Sequence, residues 1–227
     1  KRNEGLSPKQ KTLGQLIVTL GYITTLWVSH NTSWYIPFIG TVNFEKNIFT
    51  AIVFWILSLF IIYGCVNSVN LTDGIDGLCS SVTTTVAIAF IVISYIQGFA
   101  GLNIFAGALL GGVLGFLCWN WNPAKTFMGD TGSLFLGGMV VALGYLCKCP
   151  IILLPIGIVF LMETLSVIIQ VVSFKTRGKR VFKMAPIHHH FEMCGWKEKK
   201  ICVVFSTVNA IGCAIGVLLL YFGNFAK

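Results

Sequence analysis

The chain has 227 residues, of which 56% are hydrophobic and only 11% charged, with 24 glycines. Soluble domains carry about 25% charged residues, and the apolar residues here come in runs, several reaching the roughly 20 that span a hydrocarbon core, so composition argues against a soluble globular enzyme and for a polytopic protein of the lipid bilayer. The net charge of +8, from 16 Lys and Arg against 8 Asp and Glu, would raise nucleic acid as a partner in a soluble chain; between membrane helices it sets orientation and meets anionic lipid or phosphate, and no nucleic acid is expected.

Seven apolar runs follow in chain order, at 13–29, 48–66, 79–96, 102–119, 133–147, 151–172 and 201–222. Lipid offers no partner for backbone N–H and C=O groups, so each run is expected to be an α-helix, and the continuity of the runs excludes a β-barrel. The expected fold class is all-α: a bundle of seven transmembrane helices forming one integral membrane domain over 1–227, with a polar loop at 173–200. After the first run, segment 30–47, with Pro37, Gly40 and alternating apolar residues, predicts a short hairpin. Gly137-Gly138 in the fifth run predicts close helix packing. Cys65, Cys79, Cys118, Cys202 and Cys213 lie in or beside apolar runs, where cysteine acts as a small hydrophobe, and no disulfide is expected. Placing the N-terminal stretch in the cytoplasm assigns 13 Lys and Arg to that side and 3, Lys46, Lys148 and Lys227, to the other.

The unusual polar residues gather in three segments that this orientation puts on the cytoplasmic side. The first runs from Asn67 through Asn70, Asp73, Gly74 and Asp76 to Leu78, with two carboxylates three residues apart and no Lys or Arg beside them. Asn, Asp and Gly also make ordinary turns, but the second segment, from Asn120 to Ser133, repeats the pattern: Asp130 lies between glycines 129 and 132, ahead of the next helix, whose start suits an anion. Converging aspartates repel unless a cation joins them, and hard oxygen ligands favour Mg²⁺ completed by substrate phosphates. The third segment carries His188-His189-His190 among Arg177, Lys179, Arg180 and Lys183. Consecutive residues point in different directions, so three ligands to one zinc ion is a poor geometry. Glu163, within the sixth run, is costly in a membrane and reads as held by a structural partner.

Asn67 to Leu78, Phe127-Met128-Gly129-Asp130-Thr131-Gly132-Ser133, Glu163-Thr164-Leu165-Ser166-Val167 and Met184-Ala185-Pro186-Ile187-His188-His189-His190 together resemble the phospho-N-acetylmuramoyl-pentapeptide transferases, members of the polyprenyl-phosphate N-acetylhexosamine-1-phosphate transferase superfamily. The resemblance implies an Mg²⁺-dependent bacterial inner-membrane enzyme of ten helices, of which this chain carries seven, with an Asp-Asp-x-x-Lys motif expected before Lys1. Its substrates would be UDP-MurNAc-pentapeptide and undecaprenyl phosphate, its products lipid I and UMP. It implies Asp73, Asp76, Asp130 and His189 as catalytic and Asp130 as the metal ligand. Lys1, Lys9, Asn67, Asn70, Asn120, Phe127, Gln170, His188, His189 and His190 would bind substrate, with Phe127 stacking on uracil and the lysines on diphosphate. Direct attack and a covalent Asp intermediate both stay open, as does the oligomeric state, a homodimer being one possibility. Two rivals remain: a sister transferase for another N-acetylhexosamine 1-phosphate, and a transporter, which would need ionisable residues at mid-membrane in several helices where only Glu163 is found.

Overall fold

The computed structural model describes residues 7–223. Helix α1 (Pro8–Val28) starts at a capping box, in which Ser7 Oγ accepts from Gln10 N while Gln10 Oε1 accepts from Ser7 N. Strands β1 (Ser33–Ile36) and β2 (Gly40–Asn43) form the predicted antiparallel hairpin, with Trp34 opposite Val42. The hairpin lies across one end of the bundle, where Tyr35 N donates to Lys148 O at 2.7 Å and the Trp34 ring packs on Phe44, Phe54 and Tyr145.

Helices α2 (Ile48–Thr72), α3 (Leu78–Gln97), α4 (Ala100–Asn120), α5 (Gly129–Leu146), α7 (Ile158–Arg177) and α9 (Glu198–Phe222) are, among the described residues, the 6 long and apolar enough to cross a membrane. The chain is a multi-pass membrane protein. Helix α1 covers the first predicted run but is more polar, with Lys11, Gln15 and several threonines along it. Helix α3 occupies the centre: it packs against α4 and α9, and its Val82, Val86, Phe90 and Ile93 are fully buried. Helix α2 lies against α5 and α7. Its contact with α5 is backbone on backbone, since a Cβ at Gly137 would stand 2.8 Å from Val66 Cα. Gly138 faces open space, so only one member of the predicted glycine pair makes the close approach.

Helix α2 runs on to Thr72, past the apolar run that ends at residue 66, and so takes in Asn67 and Asn70; two further boundaries differ from expectation. The run at 151–172 is not one helix: a 3₁₀ turn at Pro150–Ile152 and the single turn α6 (Leu153–Ile156) end at Gly157, and α7 starts afresh. Pro155 brings no N–H to the ladder, and Asn209 of α9, fully buried, takes up the loosened backbone: its Nδ2 donates to Ile156 O at 3.0 Å and its Oδ1 accepts from Val159 N at 3.2 Å. The second difference is that α5 begins at Gly129, in positive φ, rather than at Ser133, which puts Asp130 and Thr131 in its first turn. The short α8 (Ile187–Glu192) precedes α9. Chain direction alternates, so the end of α2, the starts of α1, α3, α5 and α9, and α8 all share the end of the bundle away from the hairpin.

Candidate functional site

The site grows from the last turns of α2. Asn67 and Asn70 are three apart, hence on one helix face, and that face meets Lys11 and Gln15, four apart on α1. Lys11 Nζ donates to Asn70 Oδ1 at 2.8 Å and Asn67 Nδ2 donates to Gln15 Oε1 at 3.2 Å. Asn70 Nδ2 in turn reaches Asp130 Oδ1 at 2.9 Å and Ser133 Oγ at 2.7 Å. Lys11 Nζ closes the ring with Asp130 Oδ2 at 3.1 Å. Three helices thus converge on one carboxylate, which remains largely open to solvent, its side chain 68% exposed.

Asp73 caps α2 next to this ring. Burial, and then repulsion from Asp130, push its carboxyl up to about 6. The two carboxylates are therefore near enough to repel each other. Gly77 follows in positive φ and starts α3, where a Cβ would meet the Trp121 ring at 3.2 Å.

The segment between α4 and α5 is tied to this loop from both sides. Asn120, buried, accepts through Oδ1 from Gly77 N at 3.1 Å and donates through Nδ2 to Thr126 O at 3.0 Å. Asp76 Oδ2 accepts from Ala124 N at 2.9 Å. Asn122 hydrogen-bonds Glu198 at the start of α9. These bonds fix the backbone ahead of Phe127, a residue 77% exposed, whose ring is a flat apolar face available to a planar ligand.

The three histidines point to three different partners. His188 is fully buried and its Nδ1 lies 3.0 Å from Glu163 Oε2, also fully buried. His189 Nδ1 lies 2.5 Å from Glu192 Oε2. His190 Nδ1 accepts from Lys183 N at 3.1 Å. Glu163 is thus held by a structural partner, as its place in an apolar run suggested. His188 turns its other nitrogen towards the carboxylate loop: a Cβ at Gly74 would stand 2.1 Å from His188 Nε2.

Of the residues singled out in the sequence, Asn67, Asn70, Asp73, Asp76, Asn120, Phe127, Asp130 and the His188 segment come together at this end. Gln170 is occupied with the loop after α7, its Oε1 accepting from Val181 N and Phe182 N and its Nε2 donating to Phe182 O. Lys9 is exposed on α1 and joins neither carboxylate, and Lys1 lies outside the described residues. Lys11 escaped the sequence reading. Lys9 and Lys11 are about 200° apart around a helix, and the signal that chooses between them is the polar pair Lys11 and Gln15 on the face that meets Asn70 and Asn67. Among the described residues, no three His, Cys, Asp or Glu side chains are arranged to hold a metal by themselves.

Residues 4–148 match the model of glycosyl transferase family 4. The chain is also 49% identical, over 220 residues and 96% of its length, to proteins named phospho-N-acetylmuramoyl-pentapeptide-transferase from Bacillus thuringiensis (strain Al Hakam) and Bacillus cereus (strain AH187). It spans 66% of the length of those relatives. With the matched stretch running from before α1 to the end of α5, and so through Lys11, Asn70, Asp73, Asp76 and Asp130, the chain belongs to glycosyl transferase family 4.

Proposed function

We propose that the whole protein transfers phospho-N-acetylmuramoyl-pentapeptide from UDP-MurNAc-pentapeptide to undecaprenyl phosphate, giving lipid I and UMP at the cytoplasmic face of the bacterial inner membrane. The observation that carries this reading is the meeting of Lys11, Asn70, Asp73 and Asp130 at one end of a membrane bundle. Phosphoryl transfer asks little of a protein beyond positioning and neutralisation of charge. A lipid phosphate presents its head at the membrane boundary and a nucleotide arrives from water, so their reaction belongs where these residues sit.

Mg²⁺ fits the donor set. Asp130 and Asp73 repel each other, and Mg²⁺ is commonly held by one or two carboxylates with waters and substrate phosphates completing the shell. When bound, the ion would neutralise charge on the diphosphate. Asn70 orients Asp130 through its amide, and Lys11 supplies a cation that a phosphate can share. Phe127 offers its exposed ring to uracil, on a rim fixed by Asn120 and Asp76.

The test is release of UMP from UDP-MurNAc-pentapeptide by the full-length protein in detergent with undecaprenyl phosphate and Mg²⁺. Release that requires all three supports the reading. Equal or faster release from UDP-N-acetylglucosamine would assign the protein to a sister transferase instead.

A further inference from the structure

Glu163 and His188 form the most deeply buried polar pair at this end of the bundle, each side chain 0% exposed. The same carboxylate oxygen, Oε2, faces two nitrogens of His188: ring Nδ1 at 3.0 Å and backbone N at 3.5 Å. A backbone N–H only donates, so Oε2 accepts from it, and a proton on ring Nδ1 gives the same oxygen its second donor. His188 Nε2 is then a bare lone pair. It is buried, has no hydrogen-bond partner among the described residues, and is aimed at the backbone of Gly74, between Asp73 and Asp76. The alternative tautomer would bury an unpartnered N–H donor and set two lone pairs against each other, at a cost of about 1–3 kcal/mol for the orphan alone.

From this geometry we infer that Glu163 is a positioning residue: through the Nδ1–H of His188 it fixes the imidazole as a spacer that sets the height of the 73–77 loop and hence of its two carboxylates. Gly74 belongs to the same device. Any side chain there would enter the ring, so the loop can rest on His188 only with hydrogen at that position. The chain of contact runs from a membrane helix, α7, through α8 to the carboxylates, and no member of it needs to touch substrate. It also accounts for a carboxylate buried in an apolar run, which is otherwise costly.

This inference rests on the transferase reading of the site, and its test separates the two. In the full-length protein, Glu163→Leu and Gly74→Ala are each expected to lower kcat for UMP release on the order of 10²-fold, the scale of a 1 Å misplacement, with KM for the nucleotide changed far less. Glu163→Gln keeps a side-chain oxygen for the two donors and is expected to recover at least about tenfold of that loss. Because both single changes act through one ring, the double variant Gly74→Ala/Glu163→Leu should lose little more than either alone. Nitrogen-15 NMR of labelled histidine, assigned by comparison with His188→Asn, should show the proton of His188 on Nδ1 in the wild type and a changed pattern in Glu163→Leu, whether or not the protein is active. Absence of wild-type transfer would overturn the functional reading alone. An active wild type with additive losses, equal damage from Gln and Leu in folded protein, or a proton on Nε2 would overturn the spacer.

Discussion

Lys11 Nζ and Asp130 Oδ2 stand 3.1 Å apart, joining the start of α1 to the first turn of α5, and Asn70 bonds to both side chains. One lysine from the least apolar of the long helices thus supplies the cation of a site whose acidic groups come from elsewhere in the chain. Since the Asp130 side chain is 68% exposed, the pair adds little to stability, at most about 1 kcal/mol. Lys11→Met is therefore expected to lower UMP release at least about tenfold while leaving the melting temperature nearly unchanged, and Lys9→Met should leave both unchanged. Side-by-side activity and thermal unfolding of the two variants decide this; similar losses in both would contradict the assignment.

The position of Asp73 gives a pH dependence. Its carboxyl is pushed up from 3.8 to about 6, first by burial and then by Asp130. A raised carboxyl pKa means that the folded state holds the proton more tightly than the unfolded chain. The stability this contributes is full below 3.8 and is lost as pH rises through about 6. In Mg²⁺-free protein, Asp73→Asn should therefore gain stability relative to wild type as pH rises from 4 to 7, as read by thermal melts across that range. A difference that stays flat would show that Asp73 is not strained.

Where α2 and α5 cross, the outcome depends on which of two adjacent glycines is changed. At Gly137 a methyl group would press on Val66 backbone at 2.8 Å, which cannot swing aside as a side chain would. Gly137→Ala is expected to cost about 1–3 kcal/mol. Gly138→Ala meets open space and, by replacing a mid-helix glycine, should be neutral or stabilising. Detergent-solubilised melting curves of the two variants provide the comparison.

The break at Gly157 depends on Asn209, whose amide answers Ile156 O, Val159 N and Thr85 Oγ1 together. Asn209→Leu fills the space but leaves Ile156 O and Val159 N buried without this partner, at about 1–3 kcal/mol for each group. A clear fall in melting temperature is expected. An unchanged value would mean that the broken segment finds its own partners.

Much of this was legible in the sequence, for physical reasons. The apolar runs mark helices because a bilayer leaves the backbone no other choice, and polar residues at helix ends stood out against an apolar background. The hairpin followed from Pro37, Gly40 and alternation. Less legible were features set by tertiary contact. The break at Gly157 depends on an asparagine in another helix, since Pro155 and Gly157 alone are tolerated in membrane helices. Asp130 entered the first turn of α5 because Gly129 adopts positive φ, a choice no hydropathy pattern records. Lys11 was hidden beside Lys9 because composition counts charges, whereas the site uses the one on the inward face. Gln170, which only the resemblance implied as a ligand, bonds through its side chain to the loop after α7.

The measurement closest to the central claim compares Asp130→Asn with wild type in full-length protein, following UMP release from UDP-MurNAc-pentapeptide over a range of Mg²⁺ concentrations. The change removes charge at nearly constant volume, from an exposed side chain, so the variant should remain folded and soluble in detergent. UMP release is expected to fall on the order of 10²-fold or more and not to recover at ordinary Mg²⁺. Activity within about threefold of wild type at the same Mg²⁺ would take Asp130 out of the metal role and contradict the account of this site.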